Sequence, residues 1–289
     1  MNNLSQPLVS VVIPSYNHAH FLPRALQSVQ CQEWKNWEML VVDNGSVDGT
    51  DEVLKAWQGE RLRVFKVHNS GVIAVSRNKG IQEARGEWIA FLDSDDWWAE
   101  DKFQKSMRLA LAGSDVVFHD LTMVGPNGRI RAWRRSRSRK LPVNAYDDLV
   151  NNGCALPNSS VVVSKAALMR IGGLCEEQKL VGWEDFDTWL RLAKAGNRFT
   201  RLPGSHGYYW VGGGSVSNPT RTLDNVDAFI DRYIGEEGSV PWWCHYSRAV
   251  AHKALGRQEC VGPCFDAALR AHPGLLNYLR IVCKRQLLS

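Results

Sequence analysis

The sequence predicts an α/β fold: a Rossmann-like, mostly parallel sheet flanked by helices, with a helical region after it. Three observations predict it. Strand-like and helix-like segments alternate four times between Leu8 and Leu92, the pattern of parallel strands joined by right-handed crossovers. The strand segments are short, apolar and largely uncharged, as strands buried on both faces are. From about Thr222 the chain keeps only helical periodicity.

The elements follow in order. Leu8 to Ile13 (LVSVVI) is a β-branched run with Pro14 as its stop, and Ser15-Tyr16-Asn17-His18 is a loop. Phe21 to Val29 has the apolar spacing of an amphipathic helix. Trp37 to Val42 is a second strand that ends on Asp43, and Asp48 or Thr50 caps a helix reaching about Trp57. Arg61 to Val67 is a third strand and Gly71 to Ala84 a third helix. The fourth strand, Trp88 to Leu92, stops at Asp93-Ser94-Asp95-Asp96. Beyond it come a helix from Lys102 to Ala112 and strands at Asp115–His119 and Asn158–Val163. A short helix from Lys165 to Ile171 is closed by two glycines, and a longer one begins at Glu184-Asp185. Thr200 to Trp210 reads as two short strands around Pro203-Gly204, and Gly212-Gly213-Gly214 as a flexible loop, a candidate lid. Four helices complete the chain: Leu223–Tyr233, Trp242–Leu255, Cys260–Ala271 and Leu275–Leu288.

Composition narrows the function classes. With 44% hydrophobic and 22% charged residues the 289-residue chain is an ordinary globular one. Its first residues lack the pattern of a signal peptide, and no apolar run is long enough to span a membrane. Seven scattered cysteines without a CxxC pair point to reduced thiols and a cytoplasmic location. Cys260 and Cys264 lie one helical turn apart, but no second Cys/His pair accompanies them, so core packing is their expected role. Arg129 to Lys140 holds seven basic residues in twelve and no acid. A solvated loop accounts for that run; so does a surface for anionic partners, a membrane headgroup layer or a lipid-linked phosphate. No DNA- or RNA-binding module is present, so nucleic acid is not expected as a partner.

The chemistry concentrates at Asp93-Ser94-Asp95-Asp96. Carboxylates packed this closely repel one another unless a cation sits among them. Mg²⁺ and Mn²⁺ prefer such oxygen ligands, often beside substrate phosphates. In open α/β sheets ligands bind beyond the carboxyl ends of the strands, where these residues project. An acidic loop that caps the next helix is the plainer reading. The first turn, PSYNHAH, has no glycine, which disfavours the dinucleotide fingerprint, and there is no P-loop. Acids at a helix start are also favoured by the macrodipole, so capping is the plain reading of Glu184-Asp185.

Four blocks, VSVVIPSYNHAHFLPRALQSVQ, VVDNGSVDGT, SRNKGIQEARGEWIAFLDSDD and GWEDFDTWLRLAKAG, resemble in order and spacing a family-2 glycosyltransferase of the GT-A fold. The resemblance covers roughly Val9 to Ser217. It implies a GT-A domain over residues 1–221, with a nucleotide-sugar half (1–120) and an acceptor half (121–221), and a C-terminal helical region over 222–289. It implies transfer of a sugar from a nucleotide diphosphate, UDP or dTDP for preference, to a hydroxyl of a saccharide or lipid-linked saccharide, with inversion, in bacterial surface polysaccharide or lipopolysaccharide synthesis. Pro14, Ser15, Tyr16 and Asp43 would line the base pocket. Asp93 and Ser94 would meet the nucleotide, Asp95 with Asp93 would hold Mn²⁺ or Mg²⁺, and one of Arg77, Asn78 and Lys79 would reach the diphosphate. Asp185 falls on the general base and Glu184 beside it. Trp183, Asn158 and Trp210 are the candidate acceptor contacts, because sugar C–H faces stack on aromatics. There is one departure: many relatives carry YRxHxxS after the base helix. Here the run is Tyr209-Trp210-Val211-Gly212-Gly213-Gly214-Ser215, so the histidine is missing, and His206 is the nearby substitute. Two other readings stand beside this one. A sugar-nucleotide nucleotidylyltransferase would want a glycine- and arginine-rich loop after the first strand. A non-catalytic glycan- or partner-binding relative would not need Asp93, Asp95 and Asp185 intact.

Overall fold

The structure is a computed structural model that describes residues 6–57, 59–126, 130–136, 138–212 and 218–288, without the side chains of 130–135 and 288. Strands β1 (Val9–Ser15), β2 (Trp37–Asp43), β3 (Leu62–Lys66) and β4 (Trp88–Phe91) form the parallel half of one sheet, in the order β3-β2-β1-β4. Helices α1 (Leu22–Gln30), α2 (Thr50–Ala56) and α3 (Ile73–Glu83) are the crossovers. β1 and β2 are buried at every position, which is why they read as apolar runs. β1 runs on through Pro14 to Ser15. Pro14 lies past Val12, the last residue that β4 pairs, so its missing N–H costs no ladder bond.

Beyond β4 the sheet becomes mixed. A two-residue strand β5 (Trp97–Trp98), helix α4 (Lys102–Leu111) and strands β6 (Val116–Val124) and β7 (Ile130–Ser136) lead to helix α5 (Ala145–Asn152). The segment expected as a strand over Asn158–Val163 divides: Asn158–Ser160 is a single 3₁₀ turn, and only Val162–Ser164 (β8) pairs, antiparallel to β4. Ser160 Oγ donates to the Pro157 carbonyl (2.7 Å), a local bond that competes with extension. Helix α6 (Lys165–Arg170) and helix α7 (Glu184–Lys194) follow. Thr200–Trp210 is one strand, not two. β9 (Phe199–Trp210) runs parallel to β6 through two register shifts, the first of which absorbs Pro203-Gly204.

The last helices are α8 (Pro219–Phe229), continued by a π-helical turn (Ile230–Ile234), α9 (Trp242–Ala254), α10 (Gln258–Arg270) and α11 (Leu275–Leu288). Val226, Phe229, Trp243 and Phe265 from them share one hydrophobic cluster with Phe91, Phe118 and Trp189 around the sheet. The opposite face of the sheet packs on α1 and α4 through Leu26, Val29, Phe103 and Met107. Among the described residues no helix is long and apolar enough to cross a membrane.

Candidate active site

Parallel strands deliver their carboxyl ends to one edge, so Ser15, Asp43 and the Asp93–Asp96 tetrad emerge together. The antiparallel approach of β8 brings the turn before it, Asn158–Ser160, to the same edge. A cavity of about 440 Å³ opens there, lined by Tyr16, Arg77, Asp93, Asp95, Asp185 and Tyr209 among others.

Arg77 is the hinge of the arrangement. It is 4% exposed, and its guanidinium donates to Glu184 Oε1 (2.5 Å) and to Asp93 Oδ1 (2.7 Å). Burial alone would lower its pKa, but Asp93, Glu184 and Asp185 more than offset that and hold it charged. Gly80 lets α3 lie close enough to β1 to place it: a Cβ there would sit 2.5 Å from Val12 Cγ1. Asp93 also accepts from Asn158 Nδ2 (3.3 Å), and its own N–H donates to Ser159 Oγ (3.1 Å). Asp95 is pushed up by burial and by the charge of Asp93, with His18 and Arg24 opposing. Asp96 is buried and pushed up further, by burial and by both neighbouring aspartates; it accepts the Trp210 N–H (2.9 Å) and faces away from the cavity.

Glu184 is not free to react. Its Oε1 is held by Arg77 and its Oε2 by the Gly182 N–H (2.5 Å). Asp185 is: it opens into the cavity, and burial and the Glu184 charge push it up to about 7 against the pull of Arg77. Asp185 Oδ1 also accepts the Phe186 N–H (2.7 Å) in the first turn of α7, so its capping role stands beside its place in the cavity lining.

The other expected residues fall in different places. Pro14, Ser15, Tyr16, Ser94 and Asn158 line the cavity. Asp43 is fully buried and turned onto Ser46, whose N–H (3.1 Å) and hydroxyl it accepts; Asn44 lines the cavity instead. Asn78 is turned the other way, bonded to the Leu174 carbonyl and N–H and to Glu176, so Arg77 is the member of its trio that faces the site. Trp183 packs on Phe186 and Trp243, and Trp210 on Phe21; neither lines the cavity, where Tyr16 and Tyr209 supply the aromatic surface. His206 is held by Asp101 (2.9 Å) and the Pro203 carbonyl (3.0 Å), away from the tetrad. Gly213 and Gly214 of the expected lid lie outside the described residues, as do Arg129 and Arg137 of the basic run. Among the lining residues that carried no assignment in the sequence are His18 and Tyr209. His18 bonds Ser94 Oγ (2.7 Å) and was legible only as a loop residue after β1. Tyr209 precedes the altered glycine loop, and burial and the aspartates push it up to about 12.

Four carboxylates, of Asp93, Asp95, Glu184 and Asp185, line the cavity with one guanidinium already shared between two of them. A bare diphosphate would be repelled there. Among the described residues no three His, Cys, Asp or Glu side chains are placed to hold an ion on their own. Asp95 with Asp93 therefore fits a hard cation that takes its other ligands from phosphate and water, the usual habit of Mg²⁺.

Residues 10–173 match the family described as glycosyl transferase family 2. TuaG of Bacillus subtilis, a glycosyltransferase whose name assigns it to teichuronic acid biosynthesis, is 32% identical over 66% of this chain and 74% of its own. WfgD of Escherichia coli, named as a UDP-Glc:α-D-GlcNAc-diphosphoundecaprenol β-1,3-glucosyltransferase, is 28% identical over 66% of this chain and 71% of its own. Two solved structures share the fold at about 20% identity. One is S. aureus TarS 1-349 with UDP-GlcNAc, at a TM-score of 0.61 over 97% of this chain and 90% of that one. The other is the mannosyltransferase PcManGT of Pyrobaculum calidifontis with GDP-Man and Mn²⁺, at 0.61 over 99% and 81%.

Proposed function

The chain belongs to glycosyl transferase family 2 and is a glycosyltransferase, and from that premise we propose that it moves a sugar, with inversion, from a UDP- or dTDP-linked donor to a hydroxyl of a saccharide or lipid-linked saccharide in the synthesis of a bacterial surface polysaccharide. The observation that carries the reading is the single cavity shared by Asp93, Asp95 and Asp185, with Arg77 and Glu184 between them. The named activity of WfgD supports the UDP-sugar and the lipid-linked acceptor.

In this mechanism Tyr16 and Pro14 flank the base, and Asn44 offers the polar contact that the buried Asp43 does not. Asp185 accepts the proton of the acceptor hydroxyl as its oxygen bonds to the anomeric carbon and the bond from that carbon to the diphosphate oxygen breaks. Glu184, locked at both oxygens, orients α7 and raises the basicity of Asp185. Asp95 with Asp93 would hold Mn²⁺ or Mg²⁺, which when bound offsets the charge gathering on the departing nucleotide. The reading places the enzyme in the cytoplasm, with the basic run of residues 129–140 toward the anionic inner face of the membrane.

Calorimetry with UDP, dTDP, GDP and CDP, each with and without Mn²⁺, tests it on the native chain and on Asp95→Ala. Binding of one nucleotide that needs Mn²⁺ and is lost in the variant is the expected outcome. Binding indifferent to both would remove the metal from Asp95, and no binding at all would leave a non-catalytic relative.

A further inference from the structure

Helix α11 carries an apolar face that nothing among the described residues covers. Leu275, Leu276 and Leu287 are 75%, 84% and 79% exposed, Leu279 and Cys283 are exposed beside them, and on the other side Ile281 is fully buried in the core. At about 100° per residue these five outward positions fall within an arc of roughly 120°, a continuous stripe along the helix. Such a stripe is not scattered surface leucine; it repeats every three or four residues along a helix whose opposite face is already packed on α10.

Charge says what covers it. Residues 272–289, HPGLLNYLRIVCKRQLLS, contain Arg280, Lys284 and Arg285 and no acid. Arg285 pairs with Asp266 (2.6 Å) and the Arg280 guanidinium lies 5.7 Å from the Tyr246 ring, while Arg280 and Lys284 border the stripe on one side. Two copies of this face set against each other would bring those cations together, which opposes an isologous pairing. An apolar stripe edged by Lys and Arg fits the boundary between anionic headgroups and acyl chains.

We propose that α11 is an interfacial helix that lays its leucine stripe on an anionic phospholipid surface. The proposal draws its use from the lipid-linked acceptor proposed above but not its chemistry, so the two fail separately. Sedimentation with phosphatidylcholine vesicles, pure or mixed equally with phosphatidylglycerol, tests it on the full chain and on two variants, Leu276→Ser with Leu279→Ser and Lys284→Ala. The native chain should sediment with the mixed vesicles and be released by salt. The double serine variant should lose at least about tenfold in partitioning, and Lys284→Ala should lose several-fold. Both variants should bind nucleotide and melt as the native chain does, since they alter only exposed or bordering positions. A native chain that stays in the supernatant, or a serine variant that partitions unchanged, would overturn the proposal. So would sedimentation velocity showing a native dimer that the serine substitutions dissolve, which would assign the stripe to a second copy.

Discussion

At the scale of single residues, the proposed mechanism makes Asp185 the group that governs the acid–base behaviour. Its carboxyl is pushed from 3.8 to about 7 by burial and by Glu184, and only the ionised form accepts a proton. Transfer to an acceptor should therefore rise with pH through a midpoint near 7, read from kcat/KM against pH. Asp185→Asn should lower turnover by roughly 100- to 10,000-fold and leave nucleotide binding in place; unchanged turnover would remove the base assignment. The same shift makes a statement about stability. The folded protein keeps on this group a proton that the unfolded chain releases between 3.8 and about 7, so its contribution is greatest below that window and is lost as pH rises through it. Asp185→Asn should then melt higher than the native chain near pH 8, by up to ~4 kcal/mol, with the gain vanishing below about pH 4.

Between elements, the contact that matters is the one from α7 to the π-helical turn. Asp187 is buried and accepts from Arg191 (2.7 Å), Arg232 (2.9 Å) and the Tyr233 hydroxyl (2.5 Å). Replacing it by alanine leaves two guanidinium groups short of a partner, and the expected loss is about 3–5 kcal/mol. Denaturant unfolding of Asp187→Ala measures it. An effect under about 1 kcal/mol would mean the cluster is as dispensable as a surface ion pair. The cluster also explains why a helix that opens with Glu184-Asp185-Phe186-Asp187 is stable: its acids are partnered, and only Asp185 is left facing open space.

For the molecule as a whole, β1, β2 and β4 were legible because burial on both faces leaves unmistakable apolar runs, as in Val9–Ile13 and Met39–Val42, while β3 (LRVFK), half-buried or exposed throughout, was legible only by its alternation. The strands missed were those without such a run. Trp97–Trp98 is two residues long, and Ile130–Ser136 breaks its apolar residues with three Arg, without a clean alternation, at the margin of the sheet. The tetrad and Asp185 stood out in the sequence, and the fold brings Asp93, Asp95 and Asp185 to one cavity. That Asp43 would turn inward, and that Trp183 and Trp210 would spend their rings on Trp243 and Phe21, depends on tertiary packing that no local pattern records. The terminal helices are another such case: they read as an addition, yet Phe229, Trp243 and Phe265 lie in the central core. A chain ending at residue 218 should therefore lose its cooperative melt by circular dichroism and expose apolar surface. A sharp transition retained by that fragment would show that the first 218 residues fold alone.

The tie between Asp187 and Arg232 bears on inheritance. The segment that matches the family ends at residue 173, so the lining residues Pro14 to Ser159 lie inside it, while Asp185 and the cluster that fixes its helix lie outside. On the proposed mechanism, changes at residues as far along as 232 and 233 would reach Asp185 through α7 without altering Pro14, Ser15, Tyr16 or Asn44. A chimaera that imports α7 from a relative must import its own counterparts of Arg232 and Tyr233 too, or the transplanted helix will seat its second residue at the wrong angle to the cavity.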